Sequence, residues 1–223
     1  MSTRALGIDV EADLRVSGLL QVPARTRACY VLAHGAGAGM AHPFMAAVAQ
    51  GLAERGIATL RYQFPYMERG SRRPDAPALA HATVRAAVAE AGRQLPELAL
   101  FAGGKSFGGR MTSQAQALSP LPRVRGLVFL GFPLHPAGKP SDERAAHLSD
   151  VAVPMLFLQG TRDELAQSDR LAAVVARLGS RATLQWSEHA DHSFHVPARS
   201  GRNDAQVMDE LLERAATWID AKA

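Results

Sequence analysis

Leu98-Ala99-Leu100-Phe101-Ala102 leads through Gly103 into Gly104-Lys105-Ser106-Phe107-Gly108-Gly109, and Arg110-Met111-Thr112-Ser113-Gln114-Ala115 follows. The apolar run reads as a buried strand and the last segment as a helix. A glycine stands two residues before the central serine and another two residues after it. Side chains at those places would collide with the adjoining strand and helix. The spacing therefore suits a sharp, strained turn that presents Ser106. Taken alone it is a weak signal, because an ordinary turn serine in a glycine-rich loop reads the same way, so the flanking chain has to decide.

Outward from this turn the chain alternates. Apolar runs at residues 15–20, 28–33, 57–62, 98–102, 124–130, 153–158 and 182–186 read as strands. Between them, residues 42–54, 78–94, 107–118, 169–178 and 204–221 read as helices, with Ser168 as an expected N-cap and 142–149 as a shorter helix. The runs are continuous in apolar character, as expected for strands covered on both faces. The predicted fold class is therefore α/β: a mostly parallel sheet of about six or seven strands with helices on both faces. Residues 64–77 and 131–141 are the long irregular stretches. No repeat or linker divides residues 1–223, so a single domain is expected.

Composition narrows the setting. A chain of 223 residues and 23.8 kDa should expose roughly 9,900 Å² when folded, against roughly 34,000 Å² unfolded, which suits one well-cored unit. The formal charge is +4, but the basic residues are scattered among acids and the one tight group is Arg69-Gly70-Ser71-Arg72-Arg73. Nucleic acid is not the expected partner. Cys29 is the single cysteine, which excludes an internal disulfide and fits a reducing compartment. The first residues lack an apolar secretory core and no apolar run reaches about 18 residues, so the expectation is a cytoplasmic protein with no membrane span.

A serine hydroxyl needs a base to take its proton, and histidine does this best when a carboxylate fixes its tautomer. Asp163 follows the strand at 153–158 within Gly160-Thr161-Arg162-Asp163, and His192 follows the strand at 182–186 within Ala190-Asp191-His192-Ser193-Phe194. Ser106, Asp163 and His192 thus all fall beyond strand C-termini, at one rim of the sheet. Glu164 and Asp169 compete for the acid; His189 and His195 compete for the base. Asp191 reads as a loop-shaping residue. His189, His192 and His195 lie three residues apart, but no further ligand stands at a fixed offset on regular structure, so no metal is expected.

Together His34-Gly35-Ala36-Gly37, Gly104-x-Ser106-x-Gly108-Gly109, Gly160-x-x-Asp163 and Asp191-His192-Ser193-Phe194 resemble the motifs of small cap-less α/β-hydrolases, similar to dienelactone hydrolases and related bacterial serine esterases. The resemblance runs from about residue 15 to the C-terminus. It departs from dienelactone hydrolase in carrying Ser106 where that enzyme has a cysteine, so the lactone substrate is not implied. The resemblance implies Ser106, Asp163 and His192 as catalytic residues, with the Phe107 and Ala36 N–H groups as an oxyanion hole. His34 is read as a residue that orders its loop. The expected activity is cleavage of a small-molecule ester or thioester without a cofactor, by a monomer or homodimer. Acyl transfer, peptide cleavage or an idle binding scaffold are the alternatives. Phe64, Tyr66, Met67, Phe132, Leu134 and Phe194 are candidates for an apolar pocket, or equally for packing of the loops. Lys105 and Arg110 flank the serine and would favour anionic acyl groups, unless Arg110 pairs within the fold. About twenty residues between Phe132 and the next strand leave no room for a large lid.

Overall fold

The computed structural model describes residues 2–223. Eight strands form one sheet: β1 (Ser2–Glu11), β2 (Leu14–Val22), β3 (Ala28–Ala33), β4 (Ile57–Tyr62), β5 (Ala99–Lys105), β6 (Val124–Leu130), β7 (Met155–Gly160) and β8 (Ala182–Ser187). Their spatial order is β1-β2-β4-β3-β5-β6-β7-β8. β3 to β8 run parallel; β2 joins β4 antiparallel, and β1 joins β2 as a hairpin.

The central strands explain their own composition. In β3, Cys29, Val31 and Ala33 enter the core on one face, while Ala28, Tyr30 and Leu32 enter the core on the other. A strand with both faces dry favours an apolar residue at nearly every position. Helices α1 (Pro43–Glu54) and α6 (Asp204–Asp220) cover the second face through Met45, Val48, Val207 and Leu211. The short α2 (Pro65–Glu68), with α3 (Pro77–Gln94), α4 (Phe107–Leu118) and α5 (Ser168–Leu178), covers the first through Tyr66, Val84, Met111 and Leu171. The accessible surface is 9763 Å², close to the value expected for a chain this long folded around a shared core.

Three local expectations are corrected. The sheet has eight strands, because β1 adds an outer hairpin strand of which only Ile8 is fully buried. Ser168 is the first residue of α5 and not its cap; Gln167 precedes it without a side-chain cap bond, and Ser168 Oγ donates to Thr161 O at 3.2 Å. Residues 143–150 form a 3₁₀ segment. Among the described residues no helix is long and apolar enough to cross a membrane.

Candidate active site

The turn after β5 has the strain its glycines suggest. Ser106 sits at φ 49°, ψ −114°, a region that costs on the order of 1–3 kcal/mol for a non-glycine residue. A Cβ on Gly104 would stand 2.1 Å from Ala33 O, and one on Gly108 would stand 2.6 Å from His34 O. Both clashes are with backbone of β3 and the loop after it, which cannot move aside. The turn is therefore held tightly against β3, and Ser106 Oγ projects from the C-terminal rim of the sheet.

Two other strand ends bring the partners. His192 Nε2 lies 2.8 Å from Ser106 Oγ, and His192 Nδ1 lies 2.7 Å from Asp163 Oδ2. The Ser106 hydroxyl proton has no other acceptor among the described residues, so it points at Nε2, and Nδ1–H donates to Asp163. Asp163 is 4% exposed, whereas the rival acids Glu164 and Asp169 are exposed. Both of its oxygens are engaged: Oδ1 accepts from Leu165 N–H at 2.8 Å, and Oδ2 also accepts from Gln159 Nε2 at 2.5 Å. Gln159, at the end of β7 and fully buried, accepts in turn from Phe132 N–H at 2.7 Å.

The histidine loop is shaped by its neighbours. Asp191 Oδ1 accepts from the N–H groups of Ser193 and His195 at 2.8 and 3.0 Å. Arg162 N–H donates to Ala190 O at 2.9 Å and ties the Asp163 turn to the same loop. Lys105 Nζ donates to His192 O and lies 5.8 and 5.3 Å from the ring centres of Phe44 and Phe194. Burial pushes the Lys105 ammonium down to about 8, with Asp163 and Asp191 acting in the opposite sense.

Backbone donors converge on the serine from two sides. Phe107 N–H opens α4 and has no intrahelical acceptor. Across from it, in the loop after β3, Ala38 N–H donates to Gly35 O and Gly37 N–H donates to the Tyr66 hydroxyl. Ala36 N–H, between them, is without an acceptor among the described residues. His34 holds this loop: it is fully buried, Nδ1–H donates to Gly35 O at 2.8 Å, and Nε2 accepts from Phe64 N–H at 3.1 Å. Burial lowers its pKa to about 4, so the ring is neutral and structural at neutral pH.

Residues 26–220 match the family model described as an alpha/beta hydrolase domain. The chain belongs to that alpha/beta hydrolase family. Solved structures agree in fold. The chain is similar to a dienelactone hydrolase from Anabaena variabilis, with 21% identity over 99% of this chain and 98% of that one, and a TM-score of 0.79. It is also similar to an α/β serine hydrolase without a lid from Xanthomonas campestris (20% identity, 97% and 94% covered, TM-score 0.75). An α/β serine hydrolase homologue from Coxiella burnetii is comparable (19% identity, 96% and 98% covered, TM-score 0.77). Identities this low speak for the fold alone.

The candidate site of this alpha/beta hydrolase is a cleft in two compartments that meet at Ser106, Ala36 and Leu165. One, of about 430 Å³, is walled by Phe44, Met45, Ala38, Lys105 and His192. The other, of about 450 Å³, lies over Phe107, Arg110, Met111 and Pro133. Phe64, Tyr66, Phe132 and Leu134, the expected pocket residues, line neither; all four are at most 1% exposed. All four side chains are instead part of the buried core on the first face of the sheet. Phe64 packs against His34 and Phe107, and Phe132 against Phe129 and Phe157. Phe194 is buried as well and stacks on Phe44 at 6.0 Å. The loop histidines diverge: His195 turns to Asp204 of α6 and His189 is exposed. Gln159, Phe44 and Leu165 were not singled out by sequence. A polar amide closing an apolar strand just before Gly160 is the one signal that marks Gln159.

Proposed function

We propose that this protein hydrolyses carboxylic esters or thioesters through an acyl-enzyme on Ser106, within one α/β-hydrolase domain. The observation that carries the reading is the unbroken line of hydrogen bonds from a strained, cleft-facing hydroxyl through His192 to a buried carboxylate. Ser106 Oγ attacks the carbonyl carbon while its proton passes to His192 Nε2. Asp163 stays ionised and offsets the imidazolium charge. The carbonyl oxygen becomes an oxyanion and accepts from Phe107 N–H and Ala36 N–H, donors that are fixed before the reaction begins. The helix N-terminus behind Phe107 adds favourable potential.

As the tetrahedral intermediate collapses, the bond to the leaving oxygen or sulfur breaks and that atom takes the proton from Nε2. Water then attacks the acyl-enzyme and gives a proton to His192. The second collapse returns that proton to Ser106 Oγ and releases the carboxylic acid. Every proton and electron pair is supplied by substrate, water and these residues, so the chemistry calls for no cofactor. The open cleft admits water, which favours hydrolysis over acyl transfer to another acceptor.

The test is labelling with a fluorophosphonate, read by mass spectrometry, together with turnover of p-nitrophenyl acetate. Label on Ser106 that is absent in Ser106→Ala, with parallel loss of turnover, is the expected result. Folded protein that neither labels nor turns over the ester refutes the reading and leaves a binding scaffold.

A further inference from the structure

The compartment over Phe107 contains two cations with no acid to meet them. Arg110, one turn into α4, and Arg144, in the 3₁₀ segment after β6, both line it beside Ser106. Among the described residues neither forms an ion pair or donates a side-chain hydrogen bond. Arg110 Nε is buried without any partner. Its guanidinium lies over the Phe107 ring at 5.9 Å. The other ionisable groups that bear on Arg110 add no compensating charge: burial depresses its pKa, Arg144 acts in the same direction, and His81 and His147 feel it as a repulsive neighbour. The one carboxylate on the wall, Asp75, is already engaged by Tyr66 N–H at 2.8 Å and by Arg69 at 2.5 Å. Arg55, by contrast, pairs with Asp209 and Glu213. A partly desolvated pair of like charges is costly unless an anion joins it.

We infer that this compartment binds an oxyanion carried on the acyl part of the substrate, held between Arg110 and Arg144. The orientation follows from the mechanism proposed above, on which the inference rests. The leaving atom must receive a proton from His192, and His192 lines the other compartment. The acyl chain therefore extends over Phe107 toward the arginines. Guanidinium forks suit carboxylate and phosphate alike, so the shared chemistry is an acyl group ending in one of these anions.

The experiment compares kcat/KM for p-nitrophenyl hexanoate, p-nitrophenyl hemiadipate and an analogue of equal reach ending in a phosphonate, with uncatalysed hydrolysis subtracted. At least one anionic ester is expected to exceed the neutral ester by about tenfold or more, the worth of a charge-assisted hydrogen bond. The advantage should shrink with added salt. The larger of the two ratios tells carboxylate from phosphate. Arg144→Met and Arg110→Gln, each shown folded by thermal melting, should bring the ratio toward one. A wild-type ratio of one or less for both anions overturns the inference, as does a ratio that neither variant changes.

A binding measurement on Ser106→Ala protein separates this failure from failure of the hydrolase reading. Monomethyl adipate, or the phosphonate counterpart, should bind by calorimetry, dimethyl adipate should bind far more weakly, and Arg144→Met should abolish the difference. Charge-selective binding without turnover in the wild type would sink the mechanism and keep the anion site. Turnover without charge selectivity in rate or binding would do the reverse.

Discussion

Two serine–histidine contacts of equal length lie about two helical turns apart along α4. Ser106 Oγ is 2.8 Å from His192 Nε2, and Ser113 Oγ is 2.8 Å from His147 Nε2. Distance does not separate them; what each proton is doing does. Ser113 stands in the middle of α4, fully buried, and its hydroxyl donates to Arg110 O at 2.9 Å. A hydroxyl has one proton to give, so Ser113 accepts from His147 Nε2–H. No carboxylate is hydrogen-bonded to His147 among the described residues. Burial, Arg110 and His81 together push its pKa down to about 4. Ser106 has the opposite surroundings: a cleft on both sides, a hydroxyl proton directed at the imidazole and not at a backbone carbonyl, and a histidine backed by a buried acid. A serine–histidine distance becomes meaningful only with its third partner and its access to solvent.

Four experiments break or sharpen this comparison. The largest effect belongs to the serine pair. Ser106→Ala should lower kcat for p-nitrophenyl acetate by at least about 10⁵-fold, while Ser113→Ala should change it by less than about threefold. Equal losses would mean that the two contacts had been misjudged. Next, Asp163→Asn should cost roughly 10⁴-fold in kcat with little change in KM, because the amide favours the wrong imidazole tautomer. A fall of tenfold or less would show that His192 does not depend on this acid.

Gln159→Leu tests the support that the Ser113 pair lacks. It removes one donor from Asp163 and orphans the Phe132 N–H. The expected loss is about 1–3 kcal/mol of stability by chemical denaturation, with a drop in kcat on the order of tenfold. An unchanged kcat at reduced stability would make Gln159 a packing residue only.

The smallest effect is a pH dependence. His34 and His147 both have folded pKa values lowered to about 4 from 6.5. Between those values the unfolded chain binds protons that the native chain refuses. Stability is therefore whole above pH 6.5 and is lost as pH falls toward 4. For the fully buried His34 this amounts to on the order of 3 kcal/mol. Equilibrium denaturation at stepped pH should show it, and His34→Gln should flatten the slope in that window. NMR titration in which either ring protonates near pH 6.5 in the folded protein would refute the assignment.

Much of the sheet was open to reading from the chain. Largely apolar runs marked β3 to β7 because strands dry on both faces favour apolar residues, with Thr59, Arg61 and Gln159 as buried polar exceptions. β1 escaped for the converse reason. Its alternation, Leu6-x-Ile8-x-Val10, is legible in hindsight, but polar residues on an edge strand dilute the pattern. Ser106, Asp163 and His192 were legible because each follows a strand C-terminus at one rim, so a one-dimensional order becomes spatial proximity. The pocket aromatics failed for a reason of direction. Phe64 and Phe132 follow strand ends as predicted, yet a loop residue can face the cleft or the core, and spacing does not say which.

The sequence by itself determined the alternation of strand and helix, the tight turn at Ser106 and the order of the three polar residues, because these depend on local sterics and periodicity. Only the tertiary structure decided that Gln159 braces Asp163, that Lys105 reaches the His192 carbonyl, and that Arg110 meets Arg144 across a cavity. Those contacts join residues that are distant in the chain or turned toward one another by packing. Which way a side chain faces is set by what the rest of the molecule leaves unfilled.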